Sequence, residues 1–246
     1  MSAMQYKWES RARTDKGNVR KHNEDAFLEL SGRGVWVVAD GMGGHRSGDV
    51  ASQLVVDLVE NIDETDRPSK LLDMVEDALI AANRDLFAKS LDGDVTTVVG
   101  STVAALIVVG EYTITAWAGD SRVYRLREGV LEQISRDHSE VEELIEQGVL
   151  TRASAEDHPA ANVITRAVGG AERLYLDMEL LALKDRDRFL LCSDGLYKEL
   201  TEQEIAFHLG NGSCAHACER LMEIALAREC SDNVTALVVD FRARAA

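Results

Sequence analysis

Proline is nearly absent: Pro68 and Pro159 are the only two in 246 residues. No Gly/Ser-rich stretch separates the apolar segments, so nothing in the composition marks a linker. The expectation is one domain over residues 1–246 around one continuous core, a size that layered β-rich folds reach as a single unit. No internal repeat or low-complexity tract is present. Long apolar runs are missing too. None approaches the roughly 18 residues of a membrane-spanning helix, and the opening stretch MSAMQYKWESRARTDKG has no apolar h-region. A cytoplasmic location without membrane insertion is therefore expected. Basic residues are outnumbered, 27 Lys and Arg against 43 Asp and Glu, for a formal net charge of -16 and a pI of about 4.8. Such a surface repels nucleic acid and anionic lipid, which removes both as general partners. With 46% hydrophobic residues the composition is nonetheless that of a globular chain. No oligomerisation signal stands out, so a monomer is expected.

Cysteine is sparse as well. Of Cys192, Cys214, Cys218 and Cys230, only Cys214 and Cys218 lie one helical turn apart, with His216 between them. No second pair stands at zinc-site spacing. The pair therefore reads as apolar positions of an amphipathic helix with reduced thiols, zinc being the alternative.

What the chain does have is many short apolar runs rich in Val, Ile and Thr. They predict strands over Asp25–Leu30, Val35–Asp40, Thr102–Val109, Tyr112–Gly119, Arg122–Leu126, Leu174–Leu180, Arg188–Ser193 and Val234–Asp240. Gly110-Glu111 and Glu128-Gly129 fit hairpin turns, so the sheets should be largely antiparallel. Helical spacing appears at Val50, Leu54, Val55, Leu58 and Val59, again from Leu71 to Leu86, and from Cys214 to Ala225. Thr201 with Glu204 makes a capping-box pair that opens another helix. Paired helices between groups of antiparallel strands point to an α+β fold with helices over the outer faces of packed sheets. The polar span 137–163 interrupts two strand groups and reads as a mobile excursion near the site.

The informative feature is where aspartates fall. Apolar runs end in Asp40-Gly41, in Gly119-Asp120 and in Ser193-Asp194-Gly195, and Ser231-Asp232-Asn233 precedes another. Four acids thus sit at the rims of four strands that must be largely buried. Buried carboxylates need compensation, and a divalent cation is one solution. An all-oxygen ligand set suits Mg²⁺ or Mn²⁺ better than zinc. Glycine after Asp40 and Asp194 lets the backbone pass close to an ion. Any one Asp-Gly pair alone would be read as a turn signal; four strand-end acids together reverse that balance. Upstream, Arg20 precedes Glu24 and Asp25, which open a strand and face opposite ways, so one can reach an ion while the other braces the loop. Arg20 has the forked donors that grip phosphate; its ordinary fate would be a surface ion pair. The turn Asp40-Gly41-Met42-Gly43-Gly44-His45 lacks the lysine and Ser/Thr of a P-loop, so it predicts no nucleotide site.

RKHNED (Arg20–Asp25), VVADGMGGH (Val37–His45), GSTVAAL (Gly100–Leu106), AGDSRVY (Ala118–Tyr124), DHS (Asp137–Ser139), ITRAVG (Ile164–Gly169), CSDGL (Cys192–Leu196) and SDNVTALVV (Ser231–Val239) occur in this order over nearly the whole chain. The set resembles the metal-dependent protein phosphatases of type 2C in their compact bacterial form. The resemblance implies a four-layer α-β-β-α sandwich, two antiparallel sheets face to face with helices outside. It implies a serine/threonine phosphatase with two Mn²⁺ or Mg²⁺ ions in the cleft between the sheets and a metal-activated water that attacks phosphorus. By motif position Asp40 would bridge the ions, the Gly41 carbonyl would bind one, and Asp194 and Asp232 would complete the ligands. Glu24 and Asp25 would act mainly through metal-bound waters, and Asp120 would help hold a third, weaker ion. Arg20 matches the arginine that binds substrate phosphate, and 137–163 matches the flap beside the site. Where some relatives carry a histidine proposed as general acid, this chain has Met42. His45 follows three residues later, as loop support or as proton donor. Partners implied are phosphoserine and phosphothreonine proteins and a cognate bacterial kinase, and the short form is similar to phosphatases that accompany kinases regulating type VI secretion. Two rivals remain: a nucleotide phosphodiesterase, against which the charge weighs, and an inactive phosphoprotein binder, against which the full set of acids weighs.

Overall fold

The structure is a computed structural model that describes residues 6–43, 47–65, 67–92, 99–155 and 158–244. Its strands are β1 (Tyr6–Asp15), β2 (Asp25–Leu30), β3 (Val35–Met42), β4 (Gly100–Ser101), β5 (Val103–Val109) and β6 (Tyr112–Ala118), followed by β7 (Arg122–Arg127), β8 (Val130–Gln133), β9 (Asp177–Ala182), β10 (Arg188–Cys192) and β11 (Val234–Ala243). Its helices are α1 (Ser47–Glu60), α2 (Pro68–Asp92), α3 (Glu140–Glu146), α4 (Arg152–Ala155), α5 (Asp194–Tyr197), α6 (Glu202–Leu209) and α7 (Cys214–Ala227). Neighbouring strands are antiparallel throughout. One sheet runs β1-β11-β10-β7-β8 and the other β2-β3-β5-β6-β9, with β4 pairing to β3.

Three apolar clusters make four layers. Alternate residues of β3, β10 and β11, including Trp36, Phe189 and Phe241, meet between the sheets. Trp36 and Phe189 each set an edge against Phe241, at centroid distances of 6.0 and 5.7 Å. The opposite faces of β3 and β5 pack on α1 and α2. Those of β10 and β11 pack on α5, α6 and α7. Strand alternation sends successive side chains to these two destinations, which is why the buried strands read as continuous apolar runs. The expected α-β-β-α sandwich is therefore the observed one.

The hairpin turns are where they were expected. Glu128 and Gly129 both adopt positive φ, the requirement of a type I′ connection between β7 and β8. Thr201 and Glu204 form the full capping box on α6. Two strand readings need correction. Residues 174–176 do not pair; Leu174 and Leu176 pack from a loop against the helix-side core, and β9 starts only at Asp177. The strand β1 was not expected, because charged and polar side chains hide its alternation: only Tyr6 and Ala12 are fully buried. The zinc alternative also fails on placement. Cys214 and Cys218 lie in the core beneath α7 while His216 is on its exposed face.

The excursion over 137–163 contains the two short helices α3 and α4. Its base is closed by pairing of Ser139 with Ile164, and the Thr165 amide donates to the His138 carbonyl at 2.9 Å. Among the described residues no helix is long and apolar enough to cross a membrane.

Candidate active site

The rims of β2, β3, β6, β10 and β11 meet at one end of the sandwich, and each carries an aspartate there. Register puts Asp25 directly across from Asp40 on β3. Asp25 is buried; its Oδ2 accepts from Ser193 Oγ at 2.7 Å and from Thr235 Oγ1 at 2.6 Å, donors from the end of β10 and from its neighbour β11 in the opposite sheet. Asp40 is held through its backbone. Its amide donates to Thr102 Oγ1 at 2.9 Å, and its carbonyl accepts from the Thr102 amide at 2.8 Å and from Ser101 Oγ at 3.0 Å. Asp120 sits just past β6, where Tyr197 donates to its carbonyl at 3.1 Å. Asp194 opens α5, and Asp232 lies in the turn before β11.

The two Asp-Gly pairs are tight crossings of backbone. A Cβ on Gly41 would stand 2.0 Å from the Gly48 carbonyl oxygen and 2.7 Å from that of Glu24. A Cβ on Gly195 would stand 2.1 Å from the Asn233 carbonyl oxygen. Glycine here is required by space, and the consequence is that the acids preceding these glycines converge.

The RKHNED loop is pinned by Asn233. Its side-chain amide donates to the carbonyls of Lys16 and His22, and its oxygen accepts the Glu24 amide at 2.8 Å. Glu24 and Asp25 face opposite ways, as expected: the Glu24 carboxyl lies against Gly48 of α1, while Asp25 points between the sheets. Arg20 donates to Asp232 Oδ2 at 2.7 Å and remains half-exposed, so a solvent-facing guanidinium borders the acids. His45 lies outside the described residues.

Burial and mutual repulsion define the electrostatics. Burial pushes the Asp25 carboxyl up to about 7, with Asp194 and Asp232 adding to it. Asp40 is raised well above the carboxylate range by burial and then by Asp25, Asp194, Asp120 and Asp232. Asp120 is raised to about 7 by burial, Asp194 and Asp137. Each acid is thus a neighbour of the others. Among the described residues no group of three or more acidic, histidine or cysteine side chains is arranged so that it could hold a metal ion as it stands. The set is open, and its compensation is incomplete: Asp25 Oδ1 and Asp194 Oδ1 are buried with no partner. Partnerless carboxylate oxygens in a ring of repelling acids are the donor set that a hard divalent cation satisfies. In the chemistry of their donors the residues present therefore suit such an ion.

This electrostatic arrangement has a consequence for stability. Asp25, Asp40 and Asp120 titrate higher folded than unfolded, so their contribution is present below about pH 4 and is lost as pH rises, through about 7 for Asp25 and Asp120. His138, lowered by burial, works the other way but mainly below its ordinary value of 6.5. In excess EDTA the protein should melt several degrees lower at pH 8 than at pH 6, and saturating Mn²⁺ should remove that difference. A melting temperature that rises over this interval in EDTA would contradict the assignment.

Sequence reasoning did not identify Ser193, Thr235, Thr102 or Asn233 as supports, nor Lys198. The signal for Lys198 was its i+4 spacing from Asp194. For Thr235 it was alternation from Asn233 into the sheet interior. Cys192 lies in the core: burial pushes its thiol up to about 12, which leaves no thiolate for catalysis.

A cleft of about 620 Å³ opens beside Asp120, lined by Arg122, Asp137, Tyr197 and Lys198 and roofed by α3 and α4. The chain as a whole is similar to known proteins. The protein phosphatase 2C model matches residues 16–234. The serine/threonine protein phosphatase PstP of Mycobacterium tuberculosis is 36% identical over 230 residues, 93% of this chain, and the chain spans 44% of that protein's length. Among solved structures, PppA of Pseudomonas aeruginosa, described as a key regulatory component of its type VI secretion system, is 42% identical with a TM-score of 0.87, over 96% of this chain and 98% of the other. The catalytic domain of PstP in complex with two manganese ions is 33% identical with a TM-score of 0.87, covering 97% of this chain and all of that one. The order of motifs, the sandwich and the acid-lined rim agree with one another, and this chain belongs to the protein phosphatase 2C family.

Proposed function

We propose that the chain is a metal-dependent serine/threonine protein phosphatase that hydrolyses phosphoserine and phosphothreonine in proteins. The observation that carries this reading is the cluster of buried and partly buried, mutually repelling aspartates, two of which have a buried oxygen without a partner, bordered by one solvent-facing arginine. Asp40, Asp194 and Asp232 would hold the ions together with the Gly41 carbonyl. Asp25 and Glu24 would act from the adjoining strand, and Asp120 would serve a further, weaker site. Mn²⁺ or Mg²⁺ suits these oxygens, and PstP carries manganese. Bound there, the ions supply an activated water at neutral pH and offset phosphoryl charge.

The chain's own residues do the rest. Ser193 and Thr235 hold Asp25 by one oxygen, leaving the other without a partner and so available to an ion. Thr102 and Ser101 fix the backbone at Asp40. Arg20 is free to exchange its pairing with Asp232 for a phosphoryl group, because half of its side chain faces solvent. The roofed cleft beside Asp120 is where the polypeptide flanking the phosphorylated residue would lie. The overall negative charge favours a protein over a nucleic acid substrate. A cytoplasmic site of action, a cognate bacterial serine/threonine kinase as counterpart, and a role like that of PppA in type VI secretion complete the proposal.

Purified protein with Mn²⁺ should hydrolyse a phosphothreonine peptide and leave a cyclic nucleotide intact. Arg20→Ala should raise KM for the peptide by roughly tenfold, the scale of one charge-assisted hydrogen-bonded contact. Hydrolysis of the cyclic nucleotide in place of the peptide would replace this reading with a diesterase. Tight peptide binding without turnover would replace it with a phosphoprotein binder.

A further inference from the structure

Lys198 is not among the groups that the reaction above uses, yet it touches two parts of the site at once. It follows Asp194 by one helical turn and caps α5. Its ammonium donates to Asp194 Oδ2 at 2.5 Å and to Asn162 Oδ1 at 2.8 Å. Asn162 belongs to the excursion that roofs the cleft, whose base closes at Ser139 and Ile164.

The two oxygens of Asp194 are therefore unequal. Oδ2 is held by Lys198, while Oδ1 is buried with no partner. The same division is built independently at Asp25, where Ser193 and Thr235 take Oδ2 and leave Oδ1 without a partner. In both cases one oxygen is fixed by its partners and the other is left buried without one. A carboxylate anchored through one oxygen cannot swing about its terminal torsion, which is otherwise broad. That orientation is what an outer partner supplies to a metal ligand.

We propose that Lys198 is a positioning residue for the reaction. It orients Asp194 through Oδ2 so that Oδ1 faces the cation-binding centre, and through Asn162 it ties the roof of the cleft to that same ligand. The proposal rests on reading the aspartates as cation ligands. Its consequence is that the roof and the centre are linked: a peptide that moves the excursion acts on Asp194, and a disturbed Asp194 loosens the roof. An ammonium that merely occupied the cation's place would have the opposite effect on affinity, because deleting it would tighten metal binding. The sign of one measurement therefore separates the two roles.

The test is calorimetric titration of Mn²⁺ into metal-stripped, full-chain protein, with hydrogen exchange of the α3–α4 segment read on the same samples. Lys198→Met should weaken Mn²⁺ binding by roughly 10- to 100-fold, the usual cost of losing an outer partner. Lys198→Arg, which keeps a donor for both oxygens, should recover most of that loss. Asn162→Ala should weaken Mn²⁺ binding by a smaller factor than Lys198→Met, because the link is reciprocal, and it should share with that variant a faster exchange in α3 and α4. Unchanged or tighter Mn²⁺ binding by Lys198→Met, in protein that still melts cooperatively, would overturn the proposal while leaving the metal centre intact. Unchanged exchange in both variants would overturn the link to the roof. A wild-type protein that binds no Mn²⁺ would overturn the underlying reading itself, a distinguishable result.

Discussion

Replacing Asp194 with alanine should lower phosphothreonine hydrolysis by about 10³-fold or more and leave the protein folded. A lost ligand forfeits several kcal/mol of transition-state charge stabilisation, and each 1.36 kcal/mol is tenfold in rate. The fold should survive because Asp194 contributes little to it. One of its oxygens has no partner, and its other contact is a Lys198 side chain that can turn to solvent. Deleting an acid from a ring of repelling acids also relieves Asp40 and Asp120, both of which Asp194 pushes up. The metal-free variant should therefore melt at or above the wild-type temperature, and Mn²⁺ should raise its melting point less. Wild-type turnover in Asp194→Ala at matched Mn²⁺ would remove Asp194 from the centre.

The second large effect is on folding, at Gly41. The Cβ of Gly41→Ala would lie 2.0 Å from the Gly48 carbonyl oxygen, a backbone atom that cannot turn away. Either the start of α1 or the end of β3 must shift. Both flank the Gly41 amide, which donates to the Glu24 carbonyl at 3.0 Å. The expected cost is about 4 kcal/mol or more, the range reserved for core clashes and strained backbone. With a fall of roughly 2–4 °C per kcal/mol for a chain of this size, the melting point should drop by at least about 10 °C, or the variant should be insoluble. Gly32→Ala is the control: a Cβ there meets nothing within 4 Å, and it should melt within a degree or two of wild type. Equal melting points for the two variants would show that the crossing at Gly41 is looser than described.

Much of this was legible in the sequence because the site is written in backbone-limited chemistry. Asp-Gly after an apolar run appears at Asp40 and Asp194 because a strand end, a tight crossing and, on the proposed function, an ion-facing carboxylate all act on neighbouring residues. The buried strands β3, β5, β10 and β11 were legible for a similar reason, since burial on both faces turns alternation into an unbroken apolar run. β1 was hidden because it lies at a sheet edge, where one face need not be apolar, so Lys7, Glu9, Arg11 and Arg13 mask its pattern. The start of β9 was misread because Leu174 and Leu176 are apolar for packing and not for pairing.

The partners of the acids were not legible, because they come from across the sandwich. Thr235 reaches Asp25 over a separation of 210 residues, and Asn233 reaches the Glu24 amide over 209. Nothing local in Ser193, Thr235 or Thr102 distinguishes them from ordinary β-sheet hydroxyls. Lys198 is the intermediate case: its spacing from Asp194 was visible, but its bond to Asn162 depends on how the 137–163 excursion folds back over the cleft.

On the proposed function, these aspartates hold the divalent cations on which phosphatase activity depends. The most direct measurement is release of phosphate from a phosphothreonine peptide by the purified protein in Mn²⁺, in Mg²⁺ and in excess EDTA. The account predicts turnover with at least one of the two metals, loss of turnover in EDTA, and its return when the metal is restored. Turnover that persists undiminished in EDTA, or its absence with both metals in well-folded protein, would contradict it.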